Sequence, residues 1–231
     1  RDYLIENYKA TFLAKKYATP HYCYSLKKIK NNIEEFKINF KTINPLICFA
    51  VKSNPNTTLL SEIGKLGLGA DVVSIGELMK ALNSGIKPDK IVFSGVGKTL
   101  NEINYAINKK ILLINAESKS EILTIEKLAK LKRKRIDIGI RLNPNTDAKT
   151  LSQISTGKKE NKFGISEKIF CDLVEYVKRS KNLNLKCLSV HIGSQILNNQ
   201  PYEKMMKVVD RVIKKSNYKF EFIALARGMG I

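Results

Sequence analysis

Short apolar runs alternate with amphipathic segments along almost the whole chain. Such runs, about four to eight residues long, are typical of strands that are buried on both faces of a parallel sheet. They predict strands at residues 45–50, 70–74, 90–95, 111–116, 136–142, 186–191 and 220–225. Between them, apolar side chains recur every three or four residues, for example from Leu26 to Phe40 and from Met205 to Ile213. This spacing predicts amphipathic helices.

Three predicted strand-to-helix junctions carry a Ser or Thr followed three residues later by Glu, which is the pattern of a capping box. The pairs are Ser74 with Glu77, Thr99 with Glu102, and Ser118 with Glu121. Strands and helices that alternate in this way predict a parallel sheet, either open or closed into a barrel.

Polar residues stand at or just after the end of nearly every predicted strand. They are Lys52, Ser74, Ser94, Glu117, Arg141, His191 and Ser194. A barrel collects its site from all strand ends, whereas an open sheet concentrates it at one switch point. The pattern therefore favours an α/β barrel, in one domain over residues 1–231. Because a closed barrel of this type has eight strands, we expect one strand to be missing from the chain.

Composition and charge change this picture little. The chain is 43% hydrophobic and 27% charged, which is typical of a globular protein. No apolar run approaches the ~20 residues of a membrane helix, so no membrane association is expected. The net charge of +20 comes from 34 Lys and only 7 Arg. Since Arg is the residue best suited to phosphate and base recognition, nucleic-acid binding is not expected.

The four cysteines and two histidines show no spacing typical of a metal site. The cysteines predict a reduced, cytoplasmic protein. Gly228 and Gly230 form a Gly-x-Gly after a strand, where backbone N–H groups can approach a phosphate.

Two residues are candidates for chemistry from their positions alone. Lys52 follows the apolar residues 48–51 and precedes a polar loop. In a partly dry barrel mouth its pKa would be lowered, as an amine that forms a Schiff base requires. An ordinary surface lysine is the alternative, given 34 lysines. His191 ends another strand, where it either stacks on a ring and moves protons or serves as a hydrogen-bonded core residue.

Eight segments, in order, resemble the diaminopimelate decarboxylases, which depend on pyridoxal 5'-phosphate (PLP) and share the alanine-racemase type of barrel. The segments are YATP at 17–20, FAVKSN at 49–54, GADVVS at 69–74, VFSGVGK at 92–98, NAES at 115–118, RLNP at 141–144, ISTG at 154–157 with NKFGI at 161–165, and HIGSQ at 191–195. The resemblance runs from about residue 10 to residue 231.

The resemblance implies a PLP-binding TIM-type (β/α)8 barrel, without its last strand and without the C-terminal β-domain of the family. The residues that it assigns to the cofactor are Lys52, Asp71, Arg141, His191, Ser194, Gly228 and Gly230. Lys52 would hold PLP covalently and His191 would stack on its ring, which makes these two the implied catalytic residues.

The implied reaction converts meso-2,6-diaminopimelate, a small amino acid, to L-lysine and CO2, in a full-length form that is a homodimer. Two alternatives stay open: an ornithine- or arginine-type decarboxylase, and a shortened homologue that binds PLP without catalysis. The second draws on departures from the family's glycine loop. Ala226 and Arg227 stand in that loop, and Ala224 replaces an acidic residue.

Overall fold

The computed structural model describes residues 2–146 and 163–225, and the chain divides into two units, Arg1–Leu46 and Ile47–Ile231. In the first unit, strands β1 (Leu4–Ile5) and β2 (Tyr8–Lys9) pair antiparallel. Helices α1 (Ala10–Tyr17) and α2 (Leu26–Asn39) follow. The start of α2 is fixed by Ser25, whose Oγ accepts a hydrogen bond from the backbone N of Lys28 at 3.0 Å.

The second unit alternates strands and helices. Its elements are β3 (Cys48–Ala50), α3 (Thr57–Lys65), β4 (Gly69–Val72), α4 (Ile75–Asn83), β5 (Ile91–Phe93), α5 (Leu100–Lys109), β6 (Leu113–Ala116), α6 (Lys119–Leu131), β7 (Ile136–Asn143), β8 (Ile165–Ser166), α7 (Glu167–Arg179), β9 (Leu183–Val190), α8 (Gln200–Ser216) and β10 (Phe222–Leu225). All seven predicted strands are present, with ends that shift by up to three residues. The short strand β8 is an addition that the apolar pattern does not indicate.

All strands of this unit lie parallel in one sheet, in the order β3-β4-β5-β6-β7-β9-β10, with β8 paired to β7 beside that path. Strands that follow each other in the chain are thus neighbours in space. A parallel pair needs a crossover connection, and a helix supplies it between most of them. The carboxyl ends of all strands consequently lie at the same edge of the sheet.

Alternation along the strands gives the sheet one apolar face and a second face, here called the polar face, on which polar residues alternate with apolar ones such as Val92 and Leu113. The buried apolar residues of one face include Val72, Phe93, Ile114, Ile140 and Leu188. Helices α4, α6 and α7 contact the strands that carry them. Polar residues of the opposite face include Asp71, Asn115, Arg141 and Ser189. Residues paired in register on neighbouring strands point to the same face, and Arg141 and Ser189 are such a pair. The polar face thus supplies the side chains for chemistry.

The predicted helix starts are confirmed, with one difference in detail. Ser74, Thr99 and Ser118 accept hydrogen bonds from the backbone N of the glutamate three residues later. Only Thr99 completes the capping box, because the Glu102 carboxylate accepts from its backbone N at 2.9 Å. Glu121 instead accepts from the backbone N of Glu117, at 2.8 Å, and the same shift occurs at the start of α4. These two glutamates therefore hold the end of the preceding strand.

Within the described ranges, no helix combines the length and the apolar character that crossing a membrane requires.

Candidate functional site

Lys52 follows strand β3, and Asp71 lies on the neighbouring strand β4. Lys52 is in a 3-10 turn, Val51–Ser53, directly after β3, and Asp71 is paired in register with Ala50. The Lys52 side chain is exposed, so the partly dry surroundings expected for it are not found among the described residues. Asp71 is half-buried near Cys48. Burial, and after it the Asp71 charge, raises the pKa of the Cys48 thiol to about 12.

Arg141, His191 and Ser194 lie on or after the neighbouring strands β7 and β9. Arg141 is buried and paired in register with Ser189, and His191 comes two residues later, on the same side of the sheet. His191 is half-buried, and Ser194 is exposed in the loop that follows β9. The other two predicted site residues, Gly228 and Gly230, lie outside the described residues, as do Ala226 and Arg227.

Arg141 forms a buried ion pair with Glu117, which directly follows the neighbouring strand β6. The Nη1 atom of Arg141 donates to both carboxylate oxygens of Glu117, each at 3.0 Å. The Glu117 side chain is 2% exposed and that of Arg141 10% exposed. The guanidinium also lies over the Phe163 ring, 4.9 Å from its centroid. A buried charge needs a partner of this kind, and here each charge has one.

Two polar atoms beside this pair are buried without a hydrogen-bond partner among the described residues. They are Nη2 of Arg141 and Oδ1 of Asn115. Buried polar atoms almost always have a partner, and an exception points to a water or a ligand. A ligand with oxygen acceptors would pair with the guanidinium, and an aldehyde would react with the amine of Lys52. PLP offers both groups, so these residues fit it.

A second buried ion pair, between Lys98 and Glu121, lies next to the first. The Nζ atom of Lys98 donates to the backbone O of Gly95 at 2.5 Å, to that of Asn115 at 2.8 Å and to Oε1 of Glu121 at 2.7 Å. Its side chain is 1% exposed. Gly95 also donates its backbone N–H to Oε1 of Glu117 at 3.0 Å. The strand ends of β5 and β6 are thereby tied to the start of α6.

The sequence reasoning did not assign Lys98, Glu117 and Glu121 to the site. Glu117 was visible as a polar residue at a strand end, and Glu121 was interpreted only as a helix cap. Lys98 could not be distinguished by type among 34 lysines. Two signals were available: Glu117 and Arg141 are opposite charges at the ends of consecutive predicted strands, and Lys98 and Glu117 lie within segments that resemble the family.

Comparison with known proteins gives this arrangement its context. Residues 26–229 match a family model described as the pyridoxal-binding domain of pyridoxal-dependent decarboxylases. A diaminopimelate decarboxylase of Helicobacter pylori is 43% identical over 228 residues, which are 97% of this chain and 56% of that protein. This chain therefore spans about half the length of the curated relatives that it matches.

Solved structures agree. The crystal structure of the Helicobacter pylori diaminopimelate decarboxylase complexed with L-lysine is 41% identical and has a TM-score of 0.85, over 96% of this chain and 57% of that one. The structure of the M. jannaschii enzyme in co-complex with L-lysine is 34% identical and has a TM-score of 0.90, over 100% and 56%. They confirm the predicted TIM-type α/β barrel fold and the resemblance. The chain belongs to the family of pyridoxal-dependent decarboxylases, whose pyridoxal-binding domain it matches over most of its length.

Proposed function

We propose that this chain is the PLP-binding part of an enzyme that decarboxylates meso-2,6-diaminopimelate to L-lysine and CO2. The observation that carries the proposal is the placement of Lys52, Arg141 and His191 at one edge of the sheet. They stand there in a chain that is 43% identical to a diaminopimelate decarboxylase. The L-lysine in two related crystal structures is the product that this reaction would form.

Each predicted site residue has a distinct role in this proposal. Lys52 holds PLP covalently through its amine, and the exposed position of the side chain leaves that amine accessible. His191 would pack on the cofactor ring, and Ser194 would donate to the phosphate. Arg141 would donate from Nη2 to a cofactor oxygen, which would provide the partner that this buried atom lacks among the described residues. Asp71 lines the pocket beside Lys52.

When bound, PLP supplies a ring that takes up the electrons left on the substrate carbon as CO2 departs. The chain itself contributes binding, orientation and proton transfer. Nζ of Lys52 and the His191 ring are two groups of this edge that can hold or move a proton. The Arg141 guanidinium bonds Glu117 through Nη1. Its Nη2 atom therefore remains a donor for an anionic ligand.

An activity assay tests the proposal. The enzyme that contains this chain is purified with added PLP and given meso-diaminopimelate, and CO2 release and L-lysine formation are measured. We expect both products from the natural enzyme and from K87A, which changes an exposed lysine on another surface, and neither from K52A. Equal turnover by K52A would contradict the proposal. Preferred turnover of ornithine or arginine would support the related decarboxylases, and PLP binding without turnover of any of these amino acids would support a non-catalytic homologue.

A further inference from the structure

Four buried charged side chains form a continuous series behind the candidate site: Lys98, Glu121, Glu117 and Arg141. Their side chains are 1%, 10%, 2% and 10% exposed, respectively. We infer that Lys98 and Glu121 are positioning residues, which fix Glu117 and through it the guanidinium of Arg141 in the orientation that binds the cofactor. This inference rests on the proposed function, because it assigns the residues a role toward PLP.

All the donors of the Lys98 ammonium group are in use. An ammonium group has three N–H donors, and the three acceptors around Nζ use all of them. Lys98 therefore has no donor left for a ligand, and it is not a second cofactor-binding lysine beside Lys52. Its ammonium instead joins three separate chain segments, at Gly95, Asn115 and Glu121.

Two sets of hydrogen bonds connect Lys98 to Glu117, one through Glu121 and one through Gly95. Glu121 accepts from Lys98 with Oε1 and from the backbone N of Glu117 with Oε2, at 2.7 and 2.8 Å. The carbonyl O of Gly95 accepts from Lys98, and the backbone N–H of Gly95 donates to the Glu117 carboxylate. The backbone of Gly95 has a φ of +96°, which glycine adopts without steric cost. Both the backbone and the carboxylate of Glu117 are thereby held in place.

Glu117 binds Arg141 through one guanidinium nitrogen. Arginine and carboxylate often pair through two guanidinium nitrogens. Here both oxygens of Glu117 accept from Nη1 alone, so Nη2 stays available. A shift of the carboxylate toward Nη2 would take one of the two N–H donors of that atom and turn the guanidinium. The position of Glu117 thus affects how Arg141 can bind PLP.

Charge gives the same result. The series contains two cations and two carboxylates, so it is neutral as a whole. Loss of Lys98 would leave Glu121 buried without a cation, next to Glu117, and one cation, Arg141, for two carboxylates. Because charges interact strongly in a poorly solvated environment, we expect Glu117 and Arg141 to move.

A double-mutant cycle tests the inference. PLP affinity is measured by absorbance titration for the natural chain, K98M, E117Q and K98M/E117Q, and thermal unfolding without PLP is recorded in parallel. We expect K98M and E117Q each to weaken PLP binding about tenfold or more, as loss of a hydrogen bond to a charged group does. If Lys98 acts through Glu117, the double variant binds no more weakly than E117Q alone. A merely structural role of Lys98 would lower stability and leave PLP affinity unchanged.

Two further variants protect the test. K186M removes another lysine of the same sheet, which pairs with Asp137 at 3.0 Å and Glu221 at 3.6 Å, and should lower stability without weakening PLP binding. If K98M does not fold, K98M/E121Q, which removes both charges of the pair, replaces it in the cycle. Unchanged affinity in K98M, or additive losses in the cycle, would overturn the inference alone. Failure of the natural chain to attach PLP at Lys52 would overturn the proposed function and this inference with it.

Discussion

Helix α6 carries two buried glutamates, and their surroundings differ in an informative way. Glu121, in the first turn, binds Lys98 and the backbone of Glu117. Glu126, five residues later, accepts from the Tyr176 hydroxyl and from the Ser180 hydroxyl, each at 2.5 Å. Both carboxylates are buried and bonded through both oxygens. Burial and charge alone would therefore assign them the same importance.

The Glu126 cluster, made of Glu126, Tyr176, Ser180 and Lys130, is closed. Burial alone would raise the pKa of Glu126, but the hydrogen bonds from Ser180 and Tyr176 and the Lys130 charge outweigh it, and the pKa is lowered. Ser180 also accepts from the backbone N of Leu183 at 3.2 Å, which fixes the turn between α7 and β9. Glu126 and Tyr176 thus join α6 to α7, and Ser180 fixes the turn that follows α7.

The series from Lys98 to Arg141, in contrast, is open at one end. It finishes at Nη2 of Arg141, which is buried and has no partner among the described residues. The comparison teaches that a buried charge does not by itself identify a functional site. What distinguishes the site is a buried cationic donor that lies at the end of a series of ion pairs and has no partner among the described residues.

Replacing Arg141 should have the largest effect. R141M leaves Glu117 buried without its cation, which costs about 3–5 kcal/mol of unfolding free energy, and it also weakens PLP binding. Urea denaturation without PLP measures the first effect and absorbance titration the second. The control R211M breaks an exposed pair with Glu167 and should lower the unfolding free energy much less than R141M does. Similar losses for the two variants would contradict the account.

Replacing Glu126 should separate stability from binding. E126A removes the acceptor for two hydroxyl groups, and we expect a loss of about 1–3 kcal/mol in unfolding free energy. PLP affinity should stay unchanged, because the Glu126 cluster does not extend to Arg141 in the described part of the chain. E175A, at an exposed position on α7, is the control for stability. A marked loss of PLP affinity in E126A would remove the distinction between the two glutamates.

A substitution at Gly95 should have a smaller effect that falls on the open series. G95A forces alanine into a backbone conformation with a φ of +96°, and its Cβ would lie 3.4 Å from that of Val73. The expected cost is about 1–2 kcal/mol, together with weaker PLP binding. G76A, in the first turn of α4 and without a positive φ, should be neutral or slightly stabilising. Equal behaviour of the two alanine variants in thermal unfolding would argue against a strained Gly95.

The smallest expected effect is a pH dependence from Glu126. Its pKa in the folded chain lies below the ordinary value of 4.5. A carboxyl group of this kind stabilises the fold above that value, and the contribution is lost as the pH falls through the folded pKa. The difference in unfolding free energy between the natural chain and E126Q should therefore shrink below about pH 4.5. A difference that stays constant from neutral pH to pH 3 would contradict the lowered pKa.

The sequence was a good guide to the strands, because each buried strand leaves a local apolar run. Helix starts were also predictable, since a cap such as Thr99 and Glu102 lies within four residues. The series from Lys98 to Arg141 was not predictable in this way. Lys98 and Glu121 are 23 residues apart in the chain, and Glu117 and Arg141 are 24 residues apart. Only the register of β5, β6 and β7 brings each pair together.

The candidate site was predictable only through the family resemblance. Position alone gave Lys52 a weak case among 34 lysines, and the exposure of its side chain differs from the dry surroundings that the position suggested. The polar strand ends place the candidate residues at one edge of the sheet. They did not indicate which of those residues would pair with each other, because pairing depends on side-chain directions that no local pattern contains.

The central claim is that Lys52 is the residue that holds PLP, and peptide mapping tests it most directly. The purified chain is incubated with PLP, reduced with borohydride so that the bond becomes permanent, digested and analysed by mass spectrometry. We predict one label per chain, on Lys52, which disappears in K52A and persists in K87A. Label spread over many of the exposed lysines, or no label at all, would contradict the account.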